Sequence, residues 1–155
     1  MVKVLAESGA DINKPGSDGY TPLCTASFNG NVEMVKVLAE SGADINKPGS
    51  DGYTPLCIAS SEGYVTVVKL LLGMEADANK ANDNGDTPLF IASYNGDVEV
   101  VKVLAERGAD INKANDNGQT PLQVARNKNH TDVIEILLKL LSSSNPLHPD
   151  PSARA

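Results

Sequence analysis

The most reactive side chains in the sequence are two thiols, Cys24 and Cys57, each closing a copy of the heptad DGYTPLC at residues 18–24 and 51–57. Thiol catalysis needs a thiolate, which a neighbouring His or Lys provides by lowering the cysteine pKa. No such partner recurs near the two cysteines, so both read as semi-buried packing residues. His130 and His148 are lone imidazoles, where a zinc site needs about three or four convergent ligands. Asp11, Asp44, Asp77 and Asp110 each stand two residues before an Asn. They are too dispersed to give calcium its roughly six to eight oxygens. The segments GSDG and NDNG have neither the glycine–lysine spacing of a phosphate loop nor a strand ahead of them. No catalytic residue, metal or cofactor is expected.

Charge and hydropathy remove further classes. A formal charge of −7 opposes nucleic-acid binding, which depends on Lys and Arg neutralising phosphates. No apolar run is long enough to cross a bilayer, so no membrane partner is expected. The opening MVKVLAESGAD breaks its apolar run with charge, unlike a secretory leader. Two cysteines do not make a disulfide framework, and the setting that follows is reducing, intracellular and cytoplasmic.

The elements that carry these residues repeat. Thr-Pro falls at 21–22, 54–55, 87–88 and 120–121, a period of 33 residues, and residues 1–24 are identical to residues 34–57. Leu23, Leu56, Leu89 and Leu122 keep the register, as do Ala26, Ala59, Ala92 and Ala125. Such a period is the mark of stacked units, none of which can bury its apolar face alone. Thr before Pro starts a helix: the hydroxyl accepts an orphan N–H, and Pro suits the first helical position. The spacing predicts a short helix over Pro22 to Asn29 closed at Gly30. A longer one follows over Val32 to Ser41, with Val32, Val35 and Leu38 on one face and Gly42 at its end. A turn-bearing loop rich in Gly, Asn, Asp and Pro then leads to the next unit. Helices so stacked lie ~8–10 Å apart. A disulfide wants its Cα atoms within about 4.4–6.8 Å, so Cys24 and Cys57 are not expected to bridge.

The motifs TPLCTA, TPLCIA, TPLFIA and TPLQVA, with GADIN at 9–13, 42–46 and 108–112, closely resemble the ankyrin repeat over roughly residues 1–141. The resemblance implies an all-α solenoid: a right-angled stack of helix pairs with β-turn or hairpin loops projecting to one side. Its units read as a partial repeat at 1–17, repeats at 18–50, 51–83 and 84–116, a capping repeat at 117–141, and a Pro/Ser-rich tail at 142–155. The recurring Asp residues then satisfy loop backbone donors. The family's His after Thr-Pro-Leu is replaced by Cys24, Cys57, Phe90 and Gln123, which puts its loop-to-loop tie in doubt. Glu75 stands where Gly42 and Gly108 end their helices, so it is strained there or its helix stops early, near Gly73.

The ends are uneven. The chain opens on a second helix, MVKVLAES, as a fragment of a longer array would. The last helix is apolar nearly all round, through Val133, Ile134, Ile136, Leu137, Leu138, Leu140 and Leu141. An end unit normally has a polar outer face, so this one needs a cover. The tail NPLHPDPSARA, folding back through Pro146 and Leu147, would supply one; end-to-end self-association would supply another.

Function is expected on the concave face of loop tips and first helices, where the family grips protein partners. Four of six aromatics, Tyr20, Phe28, Tyr53 and Tyr94, are assigned there as an exposed ladder, with Phe90 semi-buried and Tyr64 at the rim. The candidate partner-binding residues are Tyr20, Phe28, Asn29, Tyr53, Glu62, Asp83, Asp86, Tyr94 and Asn95. The loops of the first two units carry Tyr20 and Tyr53; those of the next two carry Asp83, Asp86 and Asp116. The expected partner is a protein with an apolar segment followed by basic or amide-rich residues, bound without catalysis.

Overall fold

The computed structural model describes residues 9–143. Each Thr-Pro pair opens a helix as its chemistry dictates. The Thr21, Thr54, Thr87 and Thr120 hydroxyls accept from the N–H groups of Cys24, Cys57, Phe90 and Gln123 at 3.1–3.2 Å. The inner helices are α1 (Pro22–Phe28), α3 (Pro55–Glu62), α5 (Pro88–Asn95) and α7 (Pro121–Asn127). The outer helices are α2 (Val32–Glu40), α4 (Val65–Gly73), α6 (Val98–Glu106) and α8 (Thr131–Ser143). Asn29 and Ser41, expected inside the first two helices, are their C-caps. Each inner helix packs on its own outer helix and on the next inner helix, and the outer helices form a second row.

The core is a set of ladders with one rung per unit. Leu23, Leu56 and Leu89 are buried, as are Ala26, Ala59, Ala92 and Ala125, whose lack of bulk lets the inner helices approach. Leu38, Leu71, Leu104 and Leu137 form the outer ladder, alongside Val35, Val68 and Val101. Each such Leu or Val contributes about 1.5–3 kcal/mol when fully buried. In the last unit Leu122 and Ile134 are only half-buried, with no further unit over them among the described residues. The apolar surface of α8 is more covered than its sequence suggests. Ile134, Ile136, Leu140 and Leu141 are half-buried, and only Leu138 stands open, at 42 %. The opening helix, the tail with Pro146 and Leu147, and His148 lie outside the described residues.

Between units the backbone is held by a side-chain ladder. Asp11, Asp44, Asp77 and Asp110 each accept the N–H two residues on, at 2.9 Å, as expected of loop carboxylates. Asn13, Asn46 and Asn79 then accept the N–H groups of Asp44, Asp77 and Asp110 in the following unit at 2.7–2.8 Å. The loop tips are β-turns, Gly19 N–H to the Gly16 carbonyl and its equivalents. A wider pair, such as Gly16 N–H to the Tyr20 carbonyl at 2.9 Å, closes each tip. No strand occurs among the described residues.

Glu75 has φ 65, the left-handed cap of its glycine equivalents. Of the two alternatives the strained cap holds and the early stop does not: α4 ends at Gly73 in register with α2 at Glu40 and α6 at Glu106, Met74 caps it, and Glu75 makes the left-handed turn.

Candidate functional site

The exposed side of the inner helices and the loop tips share one face of the stack. Each loop leaves its turn in extended backbone to reach the Thr cap, which sets Tyr20 and Tyr53 against the neighbouring loop. A Cβ at Gly49 would run into the Tyr20 ring, so glycine there lets the ring lie on the next backbone. Tyr20 and Tyr53 are therefore half-buried, not the exposed rungs that their sequence positions suggest. Burial pushes the Tyr53 phenol above the ordinary tyrosine range, while the Asn82 side chain beside it works the other way. Phe28 and Tyr94 are the open aromatics of this face, 57 % and 46 % exposed, and Tyr64 is open at its edge. Phe90, expected to be semi-buried, is fully buried, and the Tyr64 ring covers Gly30 at the helix-pair corner.

The thiols are more buried than expected, both at 0 % exposure. Burial raises each above the ordinary thiol range, partly offset by hydrogen bonds from the Thr caps. Cys24 Sγ lies 3.7 Å from the Lys47 carbonyl and 3.8 Å from that of Tyr53; Cys57 Sγ lies 3.5 Å from the Lys80 carbonyl. A thiol is a weak donor, yet it keeps in these two units the loop tie that the missing histidine put in doubt. At Phe90 no such bond exists, and Asn115 Nδ2 donates to Asp86 Oδ1 at 2.9 Å between loops instead. Gln123 turns back to its own helix, accepting the Thr120 N–H at 2.9 Å.

Two depressions run along the face. One, of about 390 Å³, is lined by Asp18, Tyr20, Thr25, Phe28, Tyr53 and Glu62, with Ile58 and Ser61 in its floor and wall. The other, of about 330 Å³, is lined by Tyr53, Ser61, Asp86, Ile91, Tyr94 and Asn95, with Asn115 and Gln119 beyond. They adjoin at Tyr53 and Ser61, which line both, and the two together are the groove. Carboxylates face it from Asp18, Glu62 and Asp86, and the Lys128 ammonium stands 4.3 Å from the centroid of the Tyr94 ring at its far end.

Of the nine candidate residues, Tyr20, Phe28, Tyr53, Glu62, Asp86, Tyr94 and Asn95 therefore share one groove. Asn95 Nδ2 spans units to the Ser61 carbonyl at 3.0 Å. Asn29 lies in a third depression with Lys14, Pro22, Asn31 and Met34, which adjoins the first at Asp18, Tyr20 and Thr25. Asp83 lies outside the groove on a loop tip, its N–H bonded to the Asp51 carbonyl at 3.0 Å and its carboxylate over Gly52. Ile58 and Ile91 were not among the sequence candidates. Their signal was the variable letter before the constant Ala, Thr25 in the first unit and Ile in the next two. His130 has a structural part: its Nε2 is 2.9 Å from the Tyr94 carbonyl, and its ring packs on Gly96.

A family model for ankyrin repeats (3 copies) matches residues 1–82 and again residues 67–148. The chain belongs to the ankyrin-repeat family. No curated protein matches it in sequence. Ankyrin repeats are generally protein–protein interaction modules, and the groove of this ankyrin chain lies on the face its loops and inner helices share. Among the described residues, no cluster of His, Cys, Asp and Glu is arranged to hold a metal ion, and no helix is long and apolar enough to cross a membrane.

Proposed function

We propose that this ankyrin-repeat chain is a non-enzymatic, cytoplasmic binding module whose groove takes an extended segment of another protein. One observation carries the reading: two adjoining depressions with exposed Phe28 and Tyr94, apolar Ile58 and Ile91 beneath, and the carboxylates of Asp18, Glu62 and Asp86 in their lining. Open aromatics give contact area at low entropic cost, and a surface fixed by inter-unit hydrogen bonds has little to order on binding. The partner segment is apolar with basic or amide-bearing residues, and Tyr20, Phe28, Tyr53, Glu62, Asp86, Tyr94 and Asn95 contact it. Asn29 and Asp83 extend the surface to its edges.

The test is affinity selection of protein segments on the intact chain, repeated with Phe28→Ala/Tyr94→Ala. Both side chains are open, so the variant keeps its fold. Binders retained by the parent and lost by the variant support the proposal; binders held equally by both overturn it. End-to-end self-association is the second reading, motivated by Leu138 open on α8. A mass that does not change with concentration in sedimentation equilibrium removes it.

A further inference from the structure

Resting on the groove as a protein-binding surface, we propose that its Phe28–Glu62 end seats one cationic side chain, lysine or arginine, supplied by the partner. The repeat provides its own comparison. Tyr94 lies 66 residues, two periods, after Phe28, and Lys128 stands to Tyr94 as Glu62 stands to Phe28, 34 residues on in each case. At Tyr94 that register places the Lys128 ammonium 4.3 Å from the ring centroid. At Phe28 the same register carries Glu62, and the two line one depression. One end of the groove thus carries its own cation over an open ring, and the other carries an open ring with negative charge beside it.

The remaining lining completes the seat. Tyr20 and Tyr53 add two more rings, Ile58 an apolar floor for a methylene stem, and Asp18 a second carboxylate. A cation is drawn both to ring faces and to carboxylates, while its stem packs on apolar surface. The Glu62 side chain has no hydrogen bond or ion pair with another described residue, and the one salt bridge among those residues, Lys102–Glu99, lies elsewhere. Asp86 at the far end is already bonded to Asn115 Nδ2. The basic residue of the partner therefore sits at the tyrosine-rich end, not beside the acidic loops where the sequence alone would put it.

The test uses short random peptides displayed and selected on the intact chain, with groove binders defined by loss of binding to Phe28→Ala. Two charge-removing variants, Glu62→Gln and Asp18→Asn, accompany them. Asn keeps the Oδ1 that accepts the Tyr20 N–H at 3.0 Å, so the turn survives. Groove binders are expected to carry Lys or Arg. Changing that residue to norleucine weakens binding roughly 3- to 30-fold. The double charge variant loses a similar factor and most of the salt dependence, with an unchanged circular dichroism spectrum. Groove binders that lack a cation, or that are indifferent to norleucine and to Glu62→Gln, overturn the seat and leave the protein-binding reading standing. Selected peptides that hold Phe28→Ala/Tyr94→Ala as well as the parent overturn both.

Discussion

Glu75→Gly should stabilise this protein, against the usual cost of placing glycine beside a helix. Three outer helices end with one hydrogen-bond pattern. Gly42, Glu75 and Gly108 donate to the carbonyls of Ala39, Leu72 and Ala105 at 3.1–3.4 Å, and the following alanines donate to Leu38, Leu71 and Leu104 at 3.0 Å. Their φ values are 95, 65 and 91°, all left-handed. A Cβ built at Gly42 or Gly108 meets nothing within 4 Å, so the difference between the sites is conformational and not steric crowding by neighbours. A side chain in this region costs about 1–2 kcal/mol. Glycine returns about 0.4–1 kcal/mol of that through the greater freedom of the unfolded chain. The net gain is about 0.5–1 kcal/mol, a rise in melting temperature of about 1–4 °C for a chain this size. Gly108→Glu should lose a similar amount. Urea and thermal denaturation followed by far-UV circular dichroism measure both. A Glu75→Gly variant less stable than the parent, or a neutral Gly108→Glu, would refute the reasoning.

Gly85 and Gly118 share φ 76, but a Cβ at Gly85 meets Asp116 backbone and carboxylate while one at Gly118 meets open space. Gly118→Ala should cost about 1 kcal/mol and Gly85→Ala clearly more, read from urea midpoints; equal losses would show that the loops do not press together. Asn46→Ala removes the acceptor of the Asp77 N–H at 2.8 Å. It should cost about 0.5–1.5 kcal/mol and raise amide exchange at Asp77, with no change there counting against the ladder. For Cys24, Cys57 and Tyr53, burial raises the folded pKa, so the unfolded chain gives up its protons first as pH rises. Stability should hold below about pH 8.5 and fall above it, as tracked by melting temperature. Maleimide labelling of the thiols should be slow until the chain unfolds; rapid native labelling would contradict their burial.

The period, the helix starts and the core ladders were legible because each rests on local chemistry repeated in register: Thr-Pro caps, small Ala, and Leu at helical spacing. The Asp and Asn loop ladder was half legible, since its carboxylates act within a loop and its asparagines act across units. The half-burial of Tyr20 and Tyr53 was not. It depends on what the next loop places under each ring, Gly49 in one case and Asn82 in the other, and no single unit contains that information. The thiol ties were hidden for a related reason. Cys24 and Cys57 reach carbonyls 23 residues further along the chain, and cysteine is not a residue one assigns to hydrogen bonding. Ile58 and Ile91 escaped because apolar letters in an inner helix read as core, although here they floor the groove.

The central claim is that the groove, and no other face, receives the partner. Amide chemical-shift mapping by NMR, titrating the intact chain with a selected peptide, tests it directly. The account predicts that the shifts concentrate at Tyr20, Phe28, Tyr53, Ser61, Glu62 and Tyr94. Shifts centred on Ile134 and Leu138 of α8, or spread along the outer helices α2, α4 and α6, would contradict it.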